Sequence, residues 1–189
     1  MTKQELRKQF IEKRTQLSQV EYVGMSQKLL QQFQQLDLTA IKCIHAFLPI
    51  HKRREPDTTL IINWLKNNHP EIKIVYPKTN FAHCTMQSFI DDADLVLENS
   101  GFNIPEPVSG NQVESEEIDM ILVPLLAFDK QGYRVGYGKG FYDRFITLCR
   151  QDVKLIGLSF FEPVDTIDDI DKYDKALQVC ITPNKVYKF

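Results

Sequence analysis

The sequence has no apolar run approaching the roughly 20 residues that a membrane-spanning helix requires. Its first residues, MTKQELRKQF, place charged and apolar positions at helical spacing rather than presenting a secretory signal core. These absences point to a cytoplasmic chain with no membrane partner. Cys43, Cys84, Cys149 and Cys180 lie far apart and form no C-x-x-C pair, which argues against a zinc site and a disulfide framework. They read as reduced, mostly buried small apolar residues. The four histidines lack metal-ligand spacing, and a satisfied structural role is expected for each. Excess positive charge is missing too: 23 Lys and Arg against 25 Asp and Glu leave a net charge of −2. No global field draws in nucleic acid, so any anion site must be local.

What remains is the composition of an ordinary globular chain, 43% hydrophobic and 25% charged over 189 residues, and one domain spanning 1–189 is expected. Thr2-x-x-Glu5 and Ser18-x-x-Glu21 are capping-box patterns, each followed by helical spacing, so two helices should run to about Gln35. KCIHAFLPI (Lys42 to Ile50) reads as a buried strand ended by Pro49, leading into the charged loop HKRREPDT. Asp57 can cap a helix carrying Leu60, Ile61, Trp64 and Leu65, and EIKIVYP after it is a strand. Residues 78–117 carry the strand candidates TMQSFI and DLVLE with turn-rich ENSGFNIPEPVSGN, an excursion rather than a second core. IDMILVPLLAF is a central strand emerging at Val123-Pro124, followed by a glycine-rich loop, a helix over Phe141 to Arg150, and the parallel strand VKLIGLSF. An acidic loop then closes on a last short strand. Strand-helix-strand alternation means an α/β fold with a mainly parallel sheet.

Three of the eight glycines fall within RVGYGKGFYDR, Arg134 to Arg144. Gly136, Gly138 and Gly140 permit close backbone approach and precede a helix whose first N–H groups lack partners, a recipe for cradling phosphate. Lys139 adds a point charge, Arg134 a bidentate contact, and Asp143 a carboxylate for a divalent cation. The spacing matches neither the P-loop nor the dinucleotide fingerprint. A tight turn with Asp143 favouring the helix dipole is the plainer alternative. Lys3 and Arg7, at i and i+4, share a helix face that either reaches an anion or is merely solvated. Glu55 follows a strand end, where α/β sheets place ligands; it either accepts from a substrate or pairs with Arg53 or Arg54 in an exposed loop.

Together these residues identify a resemblance. VPLLAFDKQGYRVGYGKGFYDR resembles the hallmark of 5-formyltetrahydrofolate cyclo-ligases, also called 5,10-methenyltetrahydrofolate synthetases. The N-terminal K-x-x-x-R helix, EPDT, YPK, GFNIPEP and the C-terminal acidic motif occur in the family's order along nearly the whole chain. The resemblance implies a three-layer α/β/α sandwich similar to the sugar-isomerase and CoA-transferase kind. It implies a monomer that uses ATP and Mg²⁺ to close 5-formyltetrahydrofolate into 5,10-methenyltetrahydrofolate, with the polyglutamate length of the substrate left open.

Carried over by position, ATP would contact the stretch Lys3, Gln4, Glu5, Leu6 and Arg7. It would also contact Arg134, Val135, Gly136 and Tyr137, and then Gly138, Lys139, Gly140, Phe141 and Tyr142. Ile50 and Glu55 would contact the folate, together with Tyr137, Gly138, Lys139, Gly140 and Phe141. Lys139, Arg134 and Tyr142 would be the catalytic groups, and Asp143 and Asp174 the magnesium ligands. In YDKALQVCIT, Tyr173 and Gln178 stand where the family usually has histidine and a second aspartate. Asp171 or Asp169 are thus alternatives to Asp174, and a nucleotide-binding paralogue without cyclo-ligase activity is the competing expectation.

Overall fold

The computed structural model describes residues 1–99 and 105–189. The chain runs through helices α1 (Lys3–Thr15) and α2 (Gln19–Phe33), strand β1 (Cys43–His45) and helix α3 (Thr58–Asn68). Strands β2 (Lys73–Asn80), β3 (Thr85–Ile90), β4 (Val96–Asn99), β5 (Pro105–Ser109) and β6 (Gln112–Val113) follow. Then come β7 (Met120–Val123), β8 (Ala127–Phe128), β9 (Arg134–Val135), α4 (Phe141–Ile146), β10 (Lys154–Leu158), β11 (Val179–Ile181) and β12 (Val186–Lys188). Of the motif GFNIPEP, Gly101 to Ile104 lie outside the described residues.

Among the described residues, eight strands form one sheet in the order β12-β11-β10-β7-β1-β2-β3-β6. The five from β11 to β2 are parallel, and β12, β3 and β6 add antiparallel edges. Period-two alternation sends neighbouring residues to opposite faces. Met120, Leu122 and Ile156 pack on one side with Leu29, Phe33, Ile61 and Leu65 of α2 and α3. Ile121, Val123 and Leu155 pack on the other with Phe145 and Ile146 of α4. The result is a mainly parallel sheet between helical layers, the α/β/α arrangement expected. No helix among the described residues is long and apolar enough to cross a membrane.

Both capping boxes form: Thr2 and Ser18 accept from the backbone of Glu5 and Glu21, whose carboxylates accept in return. Such caps are worth about 1 kcal/mol each. They fix where α1 begins, and with it the direction of Lys3 and Arg7. Leu6 and Phe10 seat α1 on a third apolar cluster with Leu126, Ala127 and Val135. Thus α1 lies against the β8–β9 hairpin that leads into the glycine loop.

Two elements are shorter than expected. Only Cys43 to His45 of KCIHAFLPI pair as strand, with Ala46 N–H adding one bond to Val75 C=O before the chain turns into its loop. The helix read over Phe141 to Arg150 ends at Ile146: Leu148 is 57% exposed, and Thr147 turns its hydroxyl back to Arg144 C=O. The strands TMQSFI and DLVLE are present, the first as β3 inside the main sheet and the second as β4 in a separate ribbon with β5.

Candidate functional site

The carboxyl ends of β1, β2 and β7 open onto a cleft of about 780 Å³, where a parallel sheet places its ligands. The loop that walls it is delivered by the β8–β9 hairpin. Asp129, buried at that turn, accepts from the N–H groups of Gln131 (2.9 Å), Tyr133 (3.0 Å) and Ile167 (3.2 Å). The turn is therefore held by three donors on one carboxylate, and Arg134 leaves it in a defined direction.

From there the chain runs as open loop to α4. Gly138 sits at φ +87°, and a Cβ there would come within 3.1 Å of the Arg7 guanidinium. Arg7 lies over the loop and donates from Nε to Gly136 C=O at 2.9 Å. Missing side chains therefore let a cation from α1 pack against bare backbone. Gly140, at φ +67°, is the N-cap of α4 and offers no side-chain cap. With only six residues, α4 contributes little dipole, so loop amides and side-chain cations must carry any anion binding.

Lys3, Arg7, Arg134 and Lys139 all line the cleft, with Asp143 and Asp174 among them. Arg134, nearly buried, donates to Asp143 Oδ1 at 2.9 Å and to Lys175 C=O, while Lys175 N–H reaches the same Oδ1 at 3.2 Å. Lys3 pairs through Nζ with Asp174 Oδ2, which also accepts from Asp171 N–H at 2.6 Å. Each carboxylate thus commits one oxygen: Oδ1 of Asp143 and Oδ2 of Asp174. Asp169 and Asp171 are not in the lining; Asp169 accepts from Lys3 N–H at 2.6 Å and Asp171 from Tyr173 N–H at 3.0 Å. Of the three carboxylates considered beside Asp143, Asp174 is the one at the cleft.

Joined to the glycine loop through Tyr137 is a buried polar chain that sequence reasoning missed in part. Glu55 is 3% exposed, not an exposed loop acid, and its partners are neither Arg53 nor Arg54. Its Oε2 accepts from Ile50 N–H at 2.7 Å and its Oε1 from the Tyr137 hydroxyl. That hydroxyl accepts in turn from Arg14, a buried side chain that also donates to Arg53 C=O (2.8 Å) and Leu125 C=O (3.2 Å). Burial and the neighbouring Glu55 charge push the Tyr137 phenol well above its ordinary pKa, so it stays a donor. One arginine therefore fastens the floor of the cleft to three loops and, through a phenol, to a carboxylate. The available signal was spacing: Arg14 follows Arg7 by seven residues, so both lie on the same helix face.

Other residues on the expected roster fall outside the wall. Gln4 and Glu5 are exposed, Glu5 serving the Thr2 cap, while Leu6 and Val135 are wholly buried in core. Ile50, Tyr137, Phe141 and Tyr142 line the cleft, as do Phe81, Met86 and Glu106, which were not expected. Burial raises the Glu106 carboxyl pKa. The Tyr142 hydroxyl is buried without a hydrogen-bond partner among the described residues, and burial raises its pKa strongly. His45, fully buried with both ring nitrogens unpartnered among the described residues, corrects the expectation of a satisfied histidine. It faces Tyr142 edge-on at 5.8 Å and Phe145 at 4.9 Å, and burial drives its pKa down to about 3.

The sequence profile of the 5-formyltetrahydrofolate cyclo-ligase family matches residues 1–183. The chain belongs to this family. It is 34% identical to the 5-formyltetrahydrofolate cyclo-ligase of Mycoplasma pneumoniae over 186 residues, covering 96% of this chain and 98% of the relative. It is 26% identical to that of Mycoplasma genitalium, covering 94% and 97%. Among solved structures, the Aquifex aeolicus 5,10-methenyltetrahydrofolate synthetase superposes with a TM-score of 0.82 at 30% identity, covering 100% of this chain and 93% of that one. As a cyclo-ligase family member the chain is an enzyme, and the cleft is where its fold gathers ionisable and aromatic side chains.

The family's usual histidine and second aspartate are replaced away from the cleft. Tyr173 is 68% exposed, and Gln178 is tied to strand β10, its Oε1 accepting from Leu155 N–H at 2.6 Å. Neither residue lines the cavity.

Proposed function

We propose that this enzyme closes 5-formyltetrahydrofolate into 5,10-methenyltetrahydrofolate at the cleft, with ATP as co-substrate and Mg²⁺ as its metal. The observation that carries this reading is the meeting, in one cavity, of a cation-lined glycine loop and the Glu55–Ile50 wall to which its Tyr137 is hydrogen-bonded. Two ligands of different chemistry can share such a site.

The formamide oxygen is a poor leaving group, and its transfer to phosphate solves that problem. The formyl oxygen attacks the γ-phosphorus of ATP, ADP departs, and an imidate phosphate results. N10 then attacks the activated carbon, its proton is lost, and phosphate leaves with the formyl oxygen. The protein needs no nucleophile; its work is positioning and stabilisation of charge. Lys139 and Arg134 face the transferring phosphoryl group, and the loop amides of Gly136 to Gly140 add donors. Lys3 and Arg7 hold the rest of the triphosphate. Glu55, fixed by Ile50 N–H and Tyr137, accepts from N–H groups of the pterin, while Phe141 and Tyr142 give flat apolar surface.

The donor set suits Mg²⁺. No group of three or more His, Cys, Asp or Glu side chains forms a metal cage among the described residues, whereas Asp143 and Asp174 each keep an oxygen uncommitted at the cleft. Mg²⁺ is held by one or two carboxylates with substrate phosphates and water, and neutralises phosphate charge. That both departures from the family pattern lie outside the cavity supports an active cyclo-ligase over a binding module that lost its folate pocket.

The test mixes purified protein, 5-formyltetrahydrofolate and Mg²⁺, with and without ATP, and follows methenyltetrahydrofolate absorbance. ATP-dependent product formation is expected; product formed equally without ATP, or none with it, overturns the reading.

A further inference from the structure

The motif RVGYGKGFYDR ends on Arg144, a residue the mechanism above does not use. Its side chain is exposed to solvent, yet it is tied at two places. Nε donates to Cys84 C=O at 3.0 Å and Nη2 to Lys139 C=O at 2.6 Å, while the guanidinium lies 5.7 Å from the Phe141 ring centroid. Cys84 belongs to the tip of the β2–β3 hairpin, 60 residues earlier in the chain. One guanidinium thus bridges the hairpin tip and the glycine loop, which only a fork of several fixed donors can do at once.

Both ends of the bridge are shaped for it. The hairpin tip is a built turn: Asn80 Oδ1 accepts from Ala82 N–H (3.0 Å) and His83 N–H (3.2 Å), and Cys84 takes φ +53°, an uncommon value outside glycine. The tip carries Phe81, whose ring meets Phe141 edge-on at 5.3 Å, and both rings line the cleft. On the loop side, a Cβ on Gly140 would come 2.9 Å from Arg144 Nη1. The third glycine of the motif, which also lines the cleft, therefore leaves room for this guanidinium.

We propose that Arg144 is a positioning residue that straps the β2–β3 tip to the Lys139 backbone, so that the wall around the folate and the loop around the phosphates are ordered together. The inference rests on the proposed reaction for its kinetic consequence, but the strap itself is a property of the free protein. Cutting it releases Phe81 from one ligand and Lys139 from the other, so kcat and KM change together, as when a residue that orders a closing segment is lost.

The experiment compares wild type, Arg144→Ala and Arg144→Lys by amide hydrogen exchange without ligand and by steady-state kinetics. Arg144→Ala is expected to exchange faster at residues 81–85 and 139–141 and not in β7 or β10. The KM for 5-formyltetrahydrofolate should rise and kcat fall, each by about tenfold, within the roughly 10²-fold that ångström-scale misplacement costs. Arg144→Lys, able to reach one carbonyl but not span both, should be intermediate. Adding Phe81→Ala to Arg144→Ala should cost less than the sum of the two single effects, because both act through the same tip. Unchanged exchange at the two segments, or faster exchange spread equally through β7 and β10, overturns the strap. If wild type forms no methenyltetrahydrofolate, the proposed reaction fails while exchange still decides the role of Arg144.

Discussion

Tyr137→Phe removes one oxygen from the site and leaves everything else in place. The ring keeps its seat beside Arg53, whose guanidinium lies 4.7 Å from the centroid. What is lost is the hydroxyl that accepts from Arg14 and donates to Glu55. Arg14 retains two carbonyl partners and Glu55 retains Ile50 N–H, so each buried charge loses one bond rather than all. A hydrogen bond to a charged group is worth about 1.5 to 3 kcal/mol, and an unsatisfied buried polar group costs about 1 to 3. Two bonds sharing one oxygen are coupled, so a loss of about 2 to 4 kcal/mol is expected, not the full sum. At roughly 2 to 4 °C per kcal/mol for a chain of this size, the thermal midpoint should fall by about 5 to 15 °C. Urea unfolding of both proteins, with the slope checked for equality, gives the number directly. A loss below about 0.5 kcal/mol would refute the claim that this phenol joins two buried charges.

Lys139→Ala should lower kcat by about 10² or more with folding intact, as removal of one electrostatic donor can do; steady-state turnover and circular dichroism check both halves. Asp174→Asn should weaken the activation by Mg²⁺ measured in a titration of turnover against metal, while leaving the urea midpoint close to wild type. His45 predicts a pH dependence of stability. Its folded pKa of about 3 lies below its unfolded value of 6.5, so the unfolded chain binds the extra proton between these limits. Stability therefore falls as pH drops below about 6.5, by at most about 1.4 kcal/mol per unit from this group, and is unaffected by it above. Urea midpoints between pH 4 and 8 should show that slope in wild type and less of it in His45→Leu.

How much of this could be read beforehand follows from the range over which each signal acts. The capping boxes of Thr2 and Ser18 are local hydrogen-bond patterns, and both helices begin where those residues say. The central β7 and the parallel β10 were legible because burial on both faces leaves an apolar run with no alternation. The end of α4 was not: Phe145 and Leu148 share a helical spacing, but the chain turns at Thr147 and leaves Leu148 outside. The glycine loop announced itself through composition, and Lys3 and Arg7 through spacing. The chain Arg14, Tyr137, Glu55 did not, because its bonds cross 123 and 82 residues of sequence and no periodicity encodes such a pairing. His45 was misjudged for a related reason: whether a buried imidazole finds a partner depends on what packs over it, here Tyr142 and Phe145.

The central claim is that the phosphoryl group of ATP meets the formyl oxygen in this cleft and carries that oxygen away. Turnover of 5-formyltetrahydrofolate labelled with ¹⁸O in the formyl group tests it, with mass analysis of the phosphate released. One ¹⁸O in each inorganic phosphate is predicted; label appearing in water, with unlabelled phosphate, would contradict the account.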